Sequence, residues 1–192
     1  MKTCAILVTD TGPLKTLAYA GQLELLTKTG LPVLVTDMVL AELYAGARFA
    51  GNKIAIDFIE KQFGENALFR KIATGVPENA TVLKSLRVDP GEHSLKIALE
   101  DYRRDHPDDF ALLLFEDNGI ARKTFVLPDN VSLLTTRPFL REFEKRGLID
   151  SAEAVLRAAE MASIAAEDER KLLGRKQEHS IPPRRDTTVR PF

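Results

Sequence analysis

Ala5-Ile6-Leu7-Val8-Thr9-Asp10-Thr11-Gly12-Pro13 places a carboxylate at the end of a short apolar run. Ala5 to Val8 reads as a fully buried strand, and Thr9 to Pro13 is turn chemistry opening onto a helix. In an open parallel α/β sheet, Asp10 would then stand in the crevice outside the carboxyl end of a strand, where ligands bind. The rest of the chain is a search for its partners.

Elements continue to alternate. Pro13 suits a first helical turn, and Leu14, Leu17, Ala18, Leu23, Leu25 and Leu26 extend a helical pattern interrupted near Gly21. Val33-Leu34-Val35 is a second strand, and Thr36 is a good N-cap for a helix over 37–48. In that helix Val39, Glu42, Leu43 and Gly46 share one stripe, an unusual place for a carboxylate. A helix over 51–63 would carry Ile54, Phe58, Ile59 and Gln62 on one side. Residues 68–73 suit a strand, whereas the stretch to Arg87, with Gly75, Pro77 and Asn79, has no clear pattern.

Asp89-Pro90-Gly91 reads as a turn before a strongly periodic helix over 92–104. Leu95, Ala98, Leu99 and Tyr102 form its apolar face, with Glu92 on the same side. Phe110 to Phe115 is the longest apolar run and reads as a central strand. It ends at Glu116-Asp117, before a short helical segment over 120–125. A strand over 131–134 and a helix over 139–146 follow. Asp150 with Glu153 resembles a capping box for a helix to about Leu173. The domain plan is therefore a body over 1–149, a helix over 150–173 and a flexible basic tail over 174–192.

The 192 residues can bury a sizeable core without disulfides or metal staples, and 44% apolar with 29% charged residues is ordinary globular composition. Cys4, the single cysteine, calls for no oxidising compartment. No signal-peptide core and no run of about 18 apolar residues is present, which predicts a cytoplasmic protein without membrane contact. The net charge of −1 hides a tail rich in Lys and Arg after Glu169.

Alternating strands and helices argue for a parallel sheet with helices on both faces. Asp10 and Asp117 would emerge from strand ends, with Glu42 and Glu92 on helices packed beside them. Four converging carboxylates repel one another, so either their pKa values rise or a cation neutralises them. All-oxygen ligands suit Mg²⁺ or Mn²⁺. Taken singly, Asp10 and Asp117 are also ordinary N-caps, Glu92 suits a helix N-terminus, and Glu42 could pair with Arg48. Arg122, Lys123 and Arg137 are candidates for phosphate contacts. Among other polar groups, no Ser or Thr adjoins Asp117 and Thr135 and Thr136 are only distant candidates, while His93 points about 100° away from Glu92 on the helix.

ILVTDTGPL with Asp10, VLAEL with Glu42, DPGEHSLKIALE with Glu92 and LLLFEDNGIARK with Asp117 resemble, in order and spacing, the acidic motifs of the PIN domain family. LLTTRPFLREFEKRGLI is similar to the closing strand and helix of many members. The resemblance covers residues 2–149 and implies a three-layer α/β/α fold around a central parallel sheet. It implies a metal-dependent endoribonuclease, with Asp10, Glu42, Glu92 and Asp117 holding Mg²⁺ or Mn²⁺, and Glu116 competing with Asp117 for that role. It further implies a toxin of a type II toxin-antitoxin pair, with RNA as substrate, a separately encoded antitoxin as partner and self-association into a homodimer. The alternative is a PIN-like module that binds RNA or protein without cutting. Asp10-Thr11-Gly12 also resembles the aspartic-protease motif, but the helical content opposes that mostly β scaffold. No phosphate-binding Gly-rich loop is present.

Overall fold

The computed structural model describes residues 4–64, 68–116 and 129–179. Its elements run β1 (Cys4–Thr9), α1 (Thr11–Tyr19), α2 (Glu24–Lys28), β2 (Val33–Thr36), α3 (Asp37–Ala45), α4 (Ala50–Gln62), β3 (Phe69–Ile72), α5 (Val76–Ser85), α6 (Pro90–Asp105), β4 (Phe110–Phe115), β5 (Val131–Thr135), α7 (Thr136–Lys145) and α8 (Ala152–His179). The fold is mixed α/β. The strands form one sheet in the order β3-β2-β1-β4-β5, and each neighbouring pair is parallel.

Apolar strand residues alternate between two core clusters, as the period of two requires. Val33 and Val35 of β2 and Leu114 of β4 join a cluster with α1 to α4, α7 and Ala152 of α8. Leu34, Leu113 and Phe115, with Ile6 and Val8 of β1, join Leu95, Leu99 and Tyr102 of α6 in the other. The α6 stripe is thus buried as its periodicity predicts. A leucine buried this way contributes about 1.5–3 kcal/mol relative to exposure.

The order of the strands fixes where chemistry can sit. From β1 the chain steps outward through β2 to β3, then returns across β1 to β4. The carboxyl ends of β1 and β4 therefore flank the point where the winding reverses, which is where open parallel sheets bind ligands.

Several boundaries differ from the sequence reading. Asp89-Pro90-Gly91 is the start of α6: the Asp89 carboxylate accepts the Glu92 N–H at 3.0 Å as N-cap, and Pro90 occupies the first turn, where its missing N–H costs nothing. The unreadable stretch before it contains α5, which buries only Val76 and so carries no apolar stripe. Gly75, at φ 69°, serves as its N-cap, and Pro77 lies in its first turn. Asp37 anchors that entry, accepting the N–H groups of Thr74 at 2.7 Å and Gly75 at 3.0 Å. Against the opposing effect of burial, these bonds pull the Asp37 carboxyl below its usual range.

In α4 the buried face is Gly51, Asn52, Ala55, Ile56 and Ile59, and Ile54 is 45% exposed. Gly51 abuts the Tyr19 ring and Asn52 donates to the Leu43 carbonyl at 3.2 Å, which turns the helix away from the face its isoleucines suggest. At the start of α8, Ser151 rather than Asp150 accepts the Ala154 N–H, at 3.3 Å. α8 passes through Gly174 to His179, so the helix is longer and the tail shorter than expected. One glycine costs about 1 kcal/mol, too little to end a run of strong helix formers. The helix expected over 120–125 and the tail over 180–192 lie outside the described residues.

Candidate functional site

β1 and β4 run side by side, with Thr9 in register with Leu114, so the residues just past their ends leave the sheet together. Those residues are Asp10 and Glu116. The Asp10 N–H donates to the Leu114 carbonyl at 3.3 Å, which extends the pairing by one step and holds Asp10 at the sheet edge. Its carboxylate accepts the Thr11 N–H at 2.7 Å, capping α1. Capping and a place in the cleft are therefore not alternatives here; Asp10 has both.

The other acids come from helices. Glu42 projects from α3, whose N-cap Thr36 accepts the Val39 N–H at 3.2 Å. The Thr36 hydroxyl also meets the Ser94 hydroxyl of α6 at 3.0 Å in a fully buried contact. This bond ties the start of α3 to the first turns of α6 and so sets Glu42 against Asp89 and Glu92. Asp10, Glu42, Asp89, Glu92 and Glu116 line one cleft of about 230 Å³.

Two glycines permit this crowding. A Cβ on Gly12 would come within 2.8 Å of the Glu116 Cβ, and one on Gly91 within 3.2 Å of Glu42 Oε1 and 3.1 Å of Asp89 Oδ1. Both positions have an open cradle that another residue's side chain would fill. The Glu116 carboxylate also accepts the Thr136 hydroxyl at 3.3 Å.

Burial raises the Asp10 carboxyl above its usual range, and the nearby Asp89 adds to this against the Thr11 N–H and the charge of Lys15. Glu42 is raised in the same way by burial and then by Asp10 and Asp89, with the Thr11 hydroxyl and Lys15 opposing. Repulsion among the acids is thus felt at two of them, and Lys15 offsets it only in part. Asp89, Thr11 and Lys15 are site residues that the sequence reading missed, whereas Thr136, a distant candidate there, meets Glu116. The Asp-Pro pair at 89–90 is a helix-start signal that would have found the first; a single Lys or Thr gives none.

The sequence reading named Asp10, Glu42, Glu92 and Asp117. The structure brings the first three together. Asp117 lies outside the described residues, as do Arg122 and Lys123; its neighbour Glu116 lines the cleft. Arg48 does not take up Glu42, since its guanidinium stands over the Phe49 ring. Arg137 is engaged by Glu153 of α8, and this pairing also pulls the Glu153 carboxyl down. It joins α7 to α8, because the two helices pack at that point.

Among the described residues the cleft is lined by carboxylate oxygens and the Thr11 hydroxyl, with no imidazole or thiol, which suits a hard cation such as Mg²⁺ or Mn²⁺ better than zinc. Among the described residues no group of three or more Asp, Glu, His or Cys side chains stands close enough together to hold a metal ion. The donor chemistry and the two raised carboxyls fit a divalent ion. No described helix is long and apolar enough to cross a membrane. The chain matches no protein-family model, no curated protein and no solved structure.

Proposed function

We propose that the chain is a PIN-like, metal-dependent endoribonuclease built on a three-layer α/β/α fold. One observation carries the proposal: Asp10, Glu42 and Glu92, remote in sequence, share a cleft with Asp89 and Glu116 at the sheet's reversal point. The order of the acidic motifs and the two core clusters on opposite sides of the strands support it.

Asp10, Glu42, Glu92 and either Glu116 or Asp117 would hold Mg²⁺ or Mn²⁺. When bound, such an ion lowers the pKa of a coordinated water and stabilises charge on phosphoryl oxygens. The chain's own contribution is orientation. Thr11 fixes Asp10 through its N–H, and its hydroxyl lies 3.5 Å from the same Asp10 oxygen, so that carboxylate keeps a set direction. Thr136 does the same for Glu116. Glu42, raised by burial and by Asp10 and Asp89 in the metal-free protein, would be brought back toward its charged form by a cation held there.

Action in the cytoplasm as the toxin of a type II pair, a separately encoded antitoxin and a homodimer are the biological role and partners that go with this reading; they rest on the resemblance. The second reading, a PIN-like module that binds without cutting, is favoured by the open spacing of the described carboxylates. The deciding experiment is cleavage of a mixed pool of labelled RNAs with Mg²⁺ or Mn²⁺, with chelator, and with Asp10→Asn. Asn caps a helix about as well as Asp, so the variant keeps α1 intact. Metal-dependent cutting that falls at least about a hundredfold in the variant supports the nuclease. RNA left intact by folded wild type in both metals refutes it.

A further inference from the structure

Two fully buried hydroxyl residues, Thr36 and Ser94, join α3 to α6 beside the acid cleft. Each hydroxyl has a single hydrogen to give. Ser94 donates its own to the Gly91 carbonyl at 2.9 Å, so in the 3.0 Å contact between the two it is Thr36 that donates and Ser94 that accepts. Thr36 in turn accepts the Val39 N–H at 3.2 Å. The result is a one-way relay from Val39 through Thr36 and Ser94 to Gly91. Neither hydroxyl residue is exposed to solvent, so no water stands ready to replace a lost bond. Both ends of the relay adjoin Glu42. Val39 lies three residues before it on the same stripe of α3, and a Cβ on Gly91 would stand 3.2 Å from Glu42 Oε1.

The cleft has three walls: the sheet edge carries Asp10 and Glu116, α3 carries Glu42, and α6 carries Glu92 with its N-cap Asp89. Among the described residues these acids stand too far apart to hold an ion as they are, so closing on one is left to their side chains. How far those side chains must reach is set by the backbones of α3 and α6, which the relay pins together. Mg²⁺ takes oxygens at about 2.0–2.1 Å in near-ideal octahedral geometry, whereas Ca²⁺ takes more of them at about 2.3–2.6 Å and tolerates irregularity. A small widening of the frame therefore penalises Mg²⁺ and leaves Ca²⁺ almost untouched. We infer that Thr36 and Ser94 are positioning residues that set the gap between α3 and α6 and so make the cleft select the smaller cation, Mg²⁺ over Ca²⁺. The inference rests on the cleft being a divalent-cation site and names the part of the chain that decides ion size.

The test is calorimetric titration of the full chain with MgCl₂ and, separately, with CaCl₂. Ser94→Ala breaks the relay at its centre and leaves the Thr36 cap on α3. It is expected to lose about tenfold in Mg²⁺ affinity with Ca²⁺ affinity almost unchanged, the loss typical of groups that orient metal ligands from behind. Thr36→Val, which removes the other hydroxyl at nearly constant volume, should move the Mg²⁺/Ca²⁺ ratio in the same sense, and Thr36→Ser, which keeps the hydroxyl, should hold the wild-type ratio. Ser94→Cys, a weaker donor in the same place, gives a smaller shift and covers a Ser94→Ala that does not fold. Phe143→Leu shortens a buried side chain on α7, outside the relay, and should lower Tm without moving the ratio. Circular dichroism in chelator establishes that each variant is folded.

A wild-type ratio in the folded relay variants overturns the inference, as does a ratio that falls as far in Phe143→Leu, the result expected if ion preference merely follows stability. A wild type that binds neither ion, or takes both alike, overturns it too. The two readings fail separately. A ratio that depends on Ser94 without cutting of RNA in Mg²⁺ or Mn²⁺ sinks the nuclease and keeps the relay, whereas metal-dependent cutting with a ratio blind to Ser94 and Thr36 does the reverse.

Discussion

Replacing Glu42 with Gln should make the metal-free protein more stable. A methyl on Gly91 would touch both Glu42 Oε1 and Asp89 Oδ1 at just over 3 Å, so these two oxygens are no more than about 6 Å apart. At that separation two unit charges repel by about 0.7 kcal/mol in a water-like dielectric and about 3 kcal/mol at the effective dielectric of a protein surface. Burial of the carboxylate and repulsion from Asp10 act in the same direction, while the missing attraction to Lys15 offsets part. A net gain on the order of 1 kcal/mol should raise Tm by about 2–4 °C for a chain of this size.

The sign with pH follows from linkage. In the native state Glu42 holds its proton above its ordinary value of 4.5, so the folded wild type binds more protons than the unfolded chain over that window. Its advantage is full below the unfolded value and is lost as pH rises through the folded one. Thermal unfolding by circular dichroism in chelator should therefore show the variant ahead at pH 7.5 and level with wild type near pH 4. Added Mn²⁺ should raise the wild-type Tm and leave the variant's nearly unchanged. A variant equal to or below wild type at pH 7.5, or one whose gain persists at about pH 4, would refute the repulsion argument.

The two glycines give further tests. Gly12→Ala puts a methyl 2.8 Å from the Glu116 Cβ, so it should cost about 1–3 kcal/mol by overpacking and lower metal-dependent cleavage together with stability, checked by urea unfolding and the RNA assay. Gly91→Ala acts in the opposite sense on stability: inside α6 it gains up to about 1 kcal/mol of helix propensity while displacing the Glu42 carboxylate by a few tenths of an ångström. Calorimetric Mn²⁺ titration should then show weaker binding by a more stable protein, and a loss of stability would count against the packing described for Glu42 and Gly91.

How much of this was legible in the sequence depended on whether one residue carried the signal by itself. β2 and β4 were readable because strands buried on both faces are continuous apolar runs, and β1 because Ala5 to Val8 is such a run in the sequence. The α6 face was readable because Leu95, Ala98, Leu99 and Tyr102 repeat at helical spacing. Helix α5 was not, since with only Val76 buried its fold is fixed by the Asp37 clamp and by Gly75, through bonds made across more than thirty residues. The α4 face was misjudged because hydrophobicity weighs Ile54 above Gly51, whereas packing against Tyr19 demands the residue with no side chain.

The site shows the same division at closer range. Glu42 betrayed itself as a carboxylate on an apolar stripe, a placement with a cost that a core-facing helix does not bear without a use. Asp89 did not, because capping α6 is a sufficient reason for an aspartate there; only the fold reveals that the capping carboxylate also faces Glu42 across Gly91. Lys15 is quieter still, a lysine one turn into α1 whose charge matters because α3 brings Glu42 within its field. Residues that carry a local energetic penalty can be found from sequence. Those satisfied locally, and recruited only through tertiary approach, require the sheet order that places β1 beside β4 and the two glycines that let the acids close in.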